Sequence, residues 1–189
     1  MTDFRIFDRE TAPEKSRTFI ENSIQANGML PNLHGVMAGA PGLLEGYQKL
    51  HQLATETSFS KEELTVVWQT FNVEHECHYC VPAHTAIANR MKVDAAITEA
   101  LRNETPLPND KLEALRTFSL NMARSRGRVD ERAVAEFLAA GFDQQNVLEI
   151  ILVLAQKVMS NYTNHIAETP LDKPFQSLAW QKKSLATTA

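Results

Sequence analysis

The sequence predicts an all-α fold. Apolar residues recur at spacings of three and four along most of the chain. No segment has a convincing strand alternation, and helix-starting and helix-stopping residues fall between the periodic segments. Pro13 opens a first helix that Gly28 ends, and Pro31 opens a short second one through Val36 and Met37. Pro41 opens a third, carrying Leu43, Leu44, Tyr47, Leu50 and Leu53. Ser60 and Glu63 form a capping-box pattern ahead of Val66, Val67 and Phe71. The next helix runs from about Cys77 to Met91, and Asp94 caps another over Ala95 to Asn103. Thr105 to Asn109, with two prolines, is a loop. Lys111 to Arg126 is helical by its period, Asp130 caps a helix that Gly141 stops, and Asp143 caps a long one running toward Ile166. Pro170 and Pro174 break the tail, and residues 184–189 are expected to fray.

The 189 residues suffice for one domain with a full core or for two small packed halves. Hydrophobic residues make up 43% and charged residues 22%, so disorder is not expected. The net charge of -4 and the lack of a Lys/Arg block argue against nucleic-acid or anionic-membrane partners. MTDFRIFDRE has mixed charge and no apolar run, and Ile150 to Ala155 is too short to span a membrane. A cytoplasmic location is therefore expected. A weak internal echo accompanies this pattern. An ungapped shift of 81 residues sets Val66-Val67 on Val147-Leu148, Cys80 on Asn161 and His84 on His165, suggesting half-repeats over roughly 30–104 and 110–170.

The two cysteines stand three apart, in Glu74-His75-Glu76-Cys77-His78-Tyr79-Cys80-Val81-Pro82-Ala83-His84. Such spacing points to redox or metal chemistry. At about 100° per residue, Cys77, Cys80 and His84 would share an arc of about 60° on a helix. Proline is tolerated only in the first helical turn, so Pro82 places the helix start near the cysteines. A sulfur there meets the positive end of the helix dipole, which favours the reactive thiolate. His84, one turn from Cys80, would act as a base. Dipole logic favours Cys77 as the more acidic sulfur, and adjacency to His84 favours Cys80. A zinc half-site completed by His75, His78 or His84 is the competing assignment, but no second CxxC or HxxxH follows. No metal or cofactor is expected. His75 and His78 are expected on the surface.

The run from Ser60 to His84, ending in Cys77-x-x-Cys80-x-x-x-His84, resembles the carboxymuconolactone decarboxylase superfamily. Within it the resemblance is to the alkyl hydroperoxidase D (AhpD)-like, peroxidase-related branch. It extends over most of the chain, through Pro31-Asn32-Leu33-His34 and Asn161-Tyr162-Thr163-Asn164-His165. It implies a single AhpD-like helical bundle over residues 1–189 and a homo-oligomer, with a trimer expected and a dimer or hexamer as alternatives. It also implies a hydroperoxide substrate: a thiolate becomes a sulfenic acid, the second cysteine closes a disulfide, and a lipoylated or thioredoxin-like dithiol protein restores the pair.

The chain departs from the pattern in two places. The branch's proton-relay glutamate lies twelve residues before the first cysteine, where this chain has Thr65, and a histidine between the cysteines is replaced by Tyr79. Glu63 and Glu74 are the candidate substitutes, although Glu63 also reads as a helix cap and Glu74 as an exposed helix end. A lactone-acid decarboxylase and a redox-sensing binding module are the alternative functions. The cysteine pair counts against the first.

Overall fold

Residues 4–182 are described in the computed structural model. The expected fraying at 184–189 lies outside them. Among the described residues nine α-helices follow in order: α1 Arg17–Asn27, α2 Asn32–Met37, α3 Pro41–Thr55, α4 Lys61–Glu74, α5 Cys80–Arg90, α6 Ala95–Asn103, α7 Asp110–Ser125, α8 Glu131–Ala139 and α9 Gln144–Ala167. Short 3-10 turns at Glu14–Ser16 and Lys173–Leu178 flank them. No strand occurs among the described residues. No single helix among them is long and apolar enough to cross a membrane.

The helix starts follow the expected side-chain chemistry. Ser60 and Glu63 close a reciprocal capping box, as do Asp143 and Asn146. Asp94 and Asp130 accept from the N–H groups of Ala96 and Ala133. Gly28 takes the left-handed conformation that ends α1.

The main departure lies between α4 and α5. The cysteines were expected on one helix from Cys77, but α5 begins at Cys80 and Cys77 stands in the turn before it. The cause is the way α4 ends. Glu76 adopts the left-handed region at φ 55°, the Glu76 N–H bonds the Val73 carbonyl at 3.0 Å, and the Cys77 N–H bonds the Asn72 carbonyl at 2.9 Å. That pair of bonds is a Schellman ending with glutamate where glycine is usual. It turns the chain sharply and delivers Cys77 to the head of α5, where its carbonyl accepts from the Val81 N–H at 3.1 Å. Pro82 therefore does lie in the first turn of a helix.

α4 is the centre of the bundle. Every residue from Leu64 to Val73 is buried, because α5, α6, α7 and α9 cover it on all sides. On one side lies a core of α4, α6, α7, α8 and the first half of α9, including Trp68, Phe71, Leu115 and Phe118. On the other lies a second core of α1, α2 and α3, which contains Cys77, Tyr79 and Cys80. The 81-residue shift equates α4, the turn and α5 with α9, which runs unbroken. On α9, Leu148, Ile151, Tyr162 and Ile166 are exposed to solvent.

A chain of buried amides fixes α4, α5 and α9 together. His75 Nδ1 donates to Asn161 Oδ1 (2.8 Å), and Asn161 Nδ2 donates to Asn72 Oδ1 (3.1 Å). Asn72 Nδ2 donates to Gln69 Oε1 (2.9 Å), and Gln69 Nε2 donates to the Val81 carbonyl and Thr85 Oγ1, each at 3.1 Å. Each amide both donates and accepts, so the order is fixed in one direction. Asn161→Ala removes two links and leaves Asn72 Oδ1 unpaired in a dry interior. The expected loss is about 1–3 kcal/mol in urea unfolding, and a loss below ~0.5 kcal/mol would show that the chain does not hold the helices.

Candidate active site

The two cysteines are free thiols, not bonded to each other. Cys77 Sγ accepts the Cys80 N–H at 3.2 Å, the place an N-cap oxygen usually takes. Cys80 lines a cavity of about 470 Å³ enclosed mainly by α1, α2, α3 and α5. His34, Tyr47, His51, His84 and Arg90 share that wall, and Cys77 does not. The CxxC turn is clamped from outside: Tyr79 Oη donates to Asp172, whose carboxylate also accepts from the Asn32 N–H. The Pro31-Asn32-Leu33-His34 run thus holds the turn through Asn32 and lines the cavity through His34.

Directly behind Cys80 lies α9, which presents Lys157, Ser160, Asn161 and Asn164, all buried. Asn164 Nδ2 donates to Cys80 Sγ at 3.2 Å. Lys157 is fully buried, and its Nζ lies 2.8 Å from His84 Nε2. Among the described residues Lys157 forms no ion pair with a carboxylate. Burial works against a thiolate at Cys80. The Cys77 S–H and the Lys157 ammonium, with the nearby polar groups of Ser160 and Asn161, work for it and bring its pKa down to about 5. The partner sulfur moves the opposite way: its hydrogen bond to Cys80 and its burial push Cys77 up. The acidic sulfur is thus Cys80. The dipole argument for Cys77 loses to the charge and donors grouped on Cys80.

His84, expected to act as a base, stands against Lys157. Burial, then the neighbouring Lys157, pushes its pKa well below the ordinary value, so the ring is neutral. An ammonium can only donate, so Nε2 accepts from Lys157 and the ring hydrogen sits on Nδ1. Nδ1 is buried and has no partner among the described residues. Burial likewise brings His34 and His51 down to about 4, so both rings are uncharged at neutral pH.

The structure brings Cys77, Cys80 and His84 together and sends the two glutamates elsewhere. Glu63 accepts from the Ser60 N–H at 2.8 Å and pairs with Lys111 at 2.7 Å. Glu74 accepts from two nitrogens of Arg124, at 2.8 and 2.7 Å, and faces a separate hollow lined by Thr70, Leu101 and Arg116. His78 is exposed, as expected. His75 is half-buried on Asn161 because the amide chain needs its donor. His165, the echo of His84, is exposed. Sequence reasoning missed Lys157 and the cysteine-facing role of Asn164. The available signal was a lysine at 3–4 spacing from Val153, Ser160 and Asn161 and seven residues from Asn164, in line with the buried stripe of the most apolar helix.

No family model matches the chain, and no curated protein matches it. Solved structures do. A peroxidase-related protein from Ralstonia eutropha JMP134 with an alkylhydroperoxidase AhpD core is 18% identical, at TM-score 0.79 over 93% of this chain and 96% of that one. A peroxidase-related protein from Silicibacter sp. TM1040 is 20% identical, at TM-score 0.76 over 92% of each chain. The debrominase Bmp8, also solved in complex with 2,3,4-tribromopyrrole, is 18% identical, at TM-score 0.76 over 94% of this chain and 96% of the apo structure. The chain therefore has the all-helical AhpD-like fold.

Alkylation kinetics test the assignment of charge. The rate follows the thiolate fraction, so it should be level above about pH 6 and fall as pH drops through the Cys80 value. Lys157→Met removes the opposing charge, raises that pKa and should move the fall of the alkylation profile to higher pH by about one pH unit or more. An unmoved profile would mean that Lys157 does not hold the thiolate.

Proposed function

We propose that this protein is an alkylhydroperoxidase-like enzyme that reduces organic hydroperoxides through Cys80 and Cys77. The observation that carries the reading is the division of labour between the sulfurs: the acidic one lines a cavity, and the protonated one lies behind it. The Cys80 thiolate attacks the outer oxygen of the hydroperoxide. An S–O bond forms, the O–O bond breaks, and the alkoxide leaves as an alcohol once protonated. Cys77 then attacks the Cys80 sulfenic sulfur. A disulfide forms, and the sulfenic hydroxyl departs as water with the Cys77 proton. An external dithiol, from a lipoylated or thioredoxin-like protein, reduces the disulfide and is itself oxidised.

The cavity is large for hydrogen peroxide and suits an organic body against His34, Tyr47 and His51. The same walls support a second reading, thiolate attack on a flat halogenated ring, given the shared fold with the debrominase Bmp8. Release of bromide from 2,3,4-tribromopyrrole, without turnover of hydroperoxides, would favour it.

One equivalent of cumene hydroperoxide should convert the protein to an intrachain disulfide, read by intact mass. Cys77→Ser should stop at a sulfenic acid trapped by dimedone, and Cys80→Ser should leave the peroxide unconsumed. Intermolecular dimers alone, or full consumption by Cys80→Ser, would contradict the scheme.

The reading includes a homo-oligomer. The exposed Leu148, Ile151, Tyr162 and Ile166 of α9 support it, since clustered apolar surface favours association. A trimer is expected, with dimer and hexamer as alternatives. Light scattering that finds a single 21.2 kDa species at micromolar concentration would remove the obligate oligomer.

A further inference from the structure

Lys157 poses a problem of charge balance. It is fully buried and has no carboxylate partner among the described residues. The titratable groups around it are Tyr47 and His51 on α3, His84 and Cys80 on α5, and Cys77 in the turn. Burial keeps both histidines neutral and pushes the tyrosine up, so it too is uncharged. Cys80 is the one anion left to face the ammonium. When Cys80 is oxidised that anion disappears, and a lone charge in a dry interior is costly enough to shed its proton.

A route for the proton is already in place. Lys157 Nζ donates to His84 Nε2, and His84, which lines the cavity, carries on its buried Nδ1 a hydrogen that has no partner among the described residues. We infer that Lys157 is the proton donor of the reaction, delivering its proton through His84 to the group that leaves the substrate. The inference rests on the peroxide-reducing reading. As Cys80 forms its S–O bond and the O–O bond breaks, the alkoxide takes the Nδ1 hydrogen. Nε2 takes a proton from Lys157, and His84 remains neutral throughout. Lys157 ends as a neutral amine. In sum, thiolate, thiol, ammonium and hydroperoxide become disulfide, amine, alcohol and water, with atoms and charge balanced. Reduction of the disulfide by a dithiol returns the proton to Lys157.

This proton count is measurable without any substrate. The intact protein is equilibrated with a dithiol/disulfide buffer of known potential between about pH 6 and about pH 8. If Lys157 loses its proton on oxidation, the couple takes up two protons per two electrons, ~60 mV per pH unit at ~30 mV per proton. A slope of ~30 mV, with alkylation showing Cys80 to be a thiolate, would overturn the inference, because Lys157 would then stay charged. An alkylation profile with no thiolate below about pH 8 would overturn it too.

Lys157→Arg keeps a charge that cannot leave, so it should retain the acidic thiol and change the slope to ~30 mV. His84→Phe should leave the slope at ~60 mV and slow tert-butyl hydroperoxide at least about tenfold more than peracetic acid, whose carboxylate leaving group needs no proton. Equal slowing of both would refute delivery through His84. If the wild type turns over neither peroxide, the proposed activity fails while the redox slope still decides the fate of the Lys157 proton.

Discussion

A single buried positive charge sets the conditions for the rest of this site. An ammonium taken out of water must face an anion or give up its proton. Lys157 favours the thiolate at Cys80, adding to the larger contribution of the Cys77 S–H that makes Cys80 the acidic one of the two thiols. The same ammonium occupies His84 Nε2 and so fixes the tautomer of the ring. The direction of the ring's hydrogen follows from this one lysine, which also adds to what burial does for the ring's charge and what the Cys77 S–H does for the acidic sulfur.

Holding that charge in place requires a rigid frame, which the buried amides supply. The chain from His75 through Asn161, Asn72 and Gln69 ends on the Val81 carbonyl and Thr85. It ties the first turn of α5 to α4 and to the stretch of α9 just beyond Lys157. Packing alone would leave α9 free to slide or rotate slightly, moving Lys157 relative to Cys80. Directional hydrogen bonds with every amide order specified remove that freedom. Tyr79 and Asp172 do the same from the opposite side, anchoring the residues between the cysteines.

Much of the fold was legible because helix boundaries are written locally. Asp94 caps Ala95–Asn103 as read, and Pro41, Ser60, Asp130 and Asp143 each stand at the start of the helix assigned to them. The CxxCxxxH run likewise located the cysteines and His84. The turn at Glu76 was not legible. A left-handed Schellman ending without glycine leaves no local signature, so Cys77 was placed on the helix rather than ahead of it. Lys157 was missed for a related reason. Its meaning depends on which residues from α3 and α5 surround it, and helical periodicity along α9 says only that position 157 is buried.

The departures from the AhpD-like pattern become coherent in this light. Thr65 stands where the relay glutamate was expected, and its hydroxyl donates back to the Lys61 carbonyl within its own helix. Glu63 is neutralised by Lys111, and Glu74 by Arg124, both away from the sulfurs. A carboxylate within the layer of Cys80 and Lys157 would compete with the thiolate for the one ammonium. It would also repel the thiolate directly, and both effects raise the sulfur's pKa. A site built on a buried lysine therefore has reason to keep carboxylates out, whereas a site built on a carboxylate relay needs one inside. The threonine at position 65, the outward pairing of both glutamates and the burial of Lys157 fit one electrostatic arrangement.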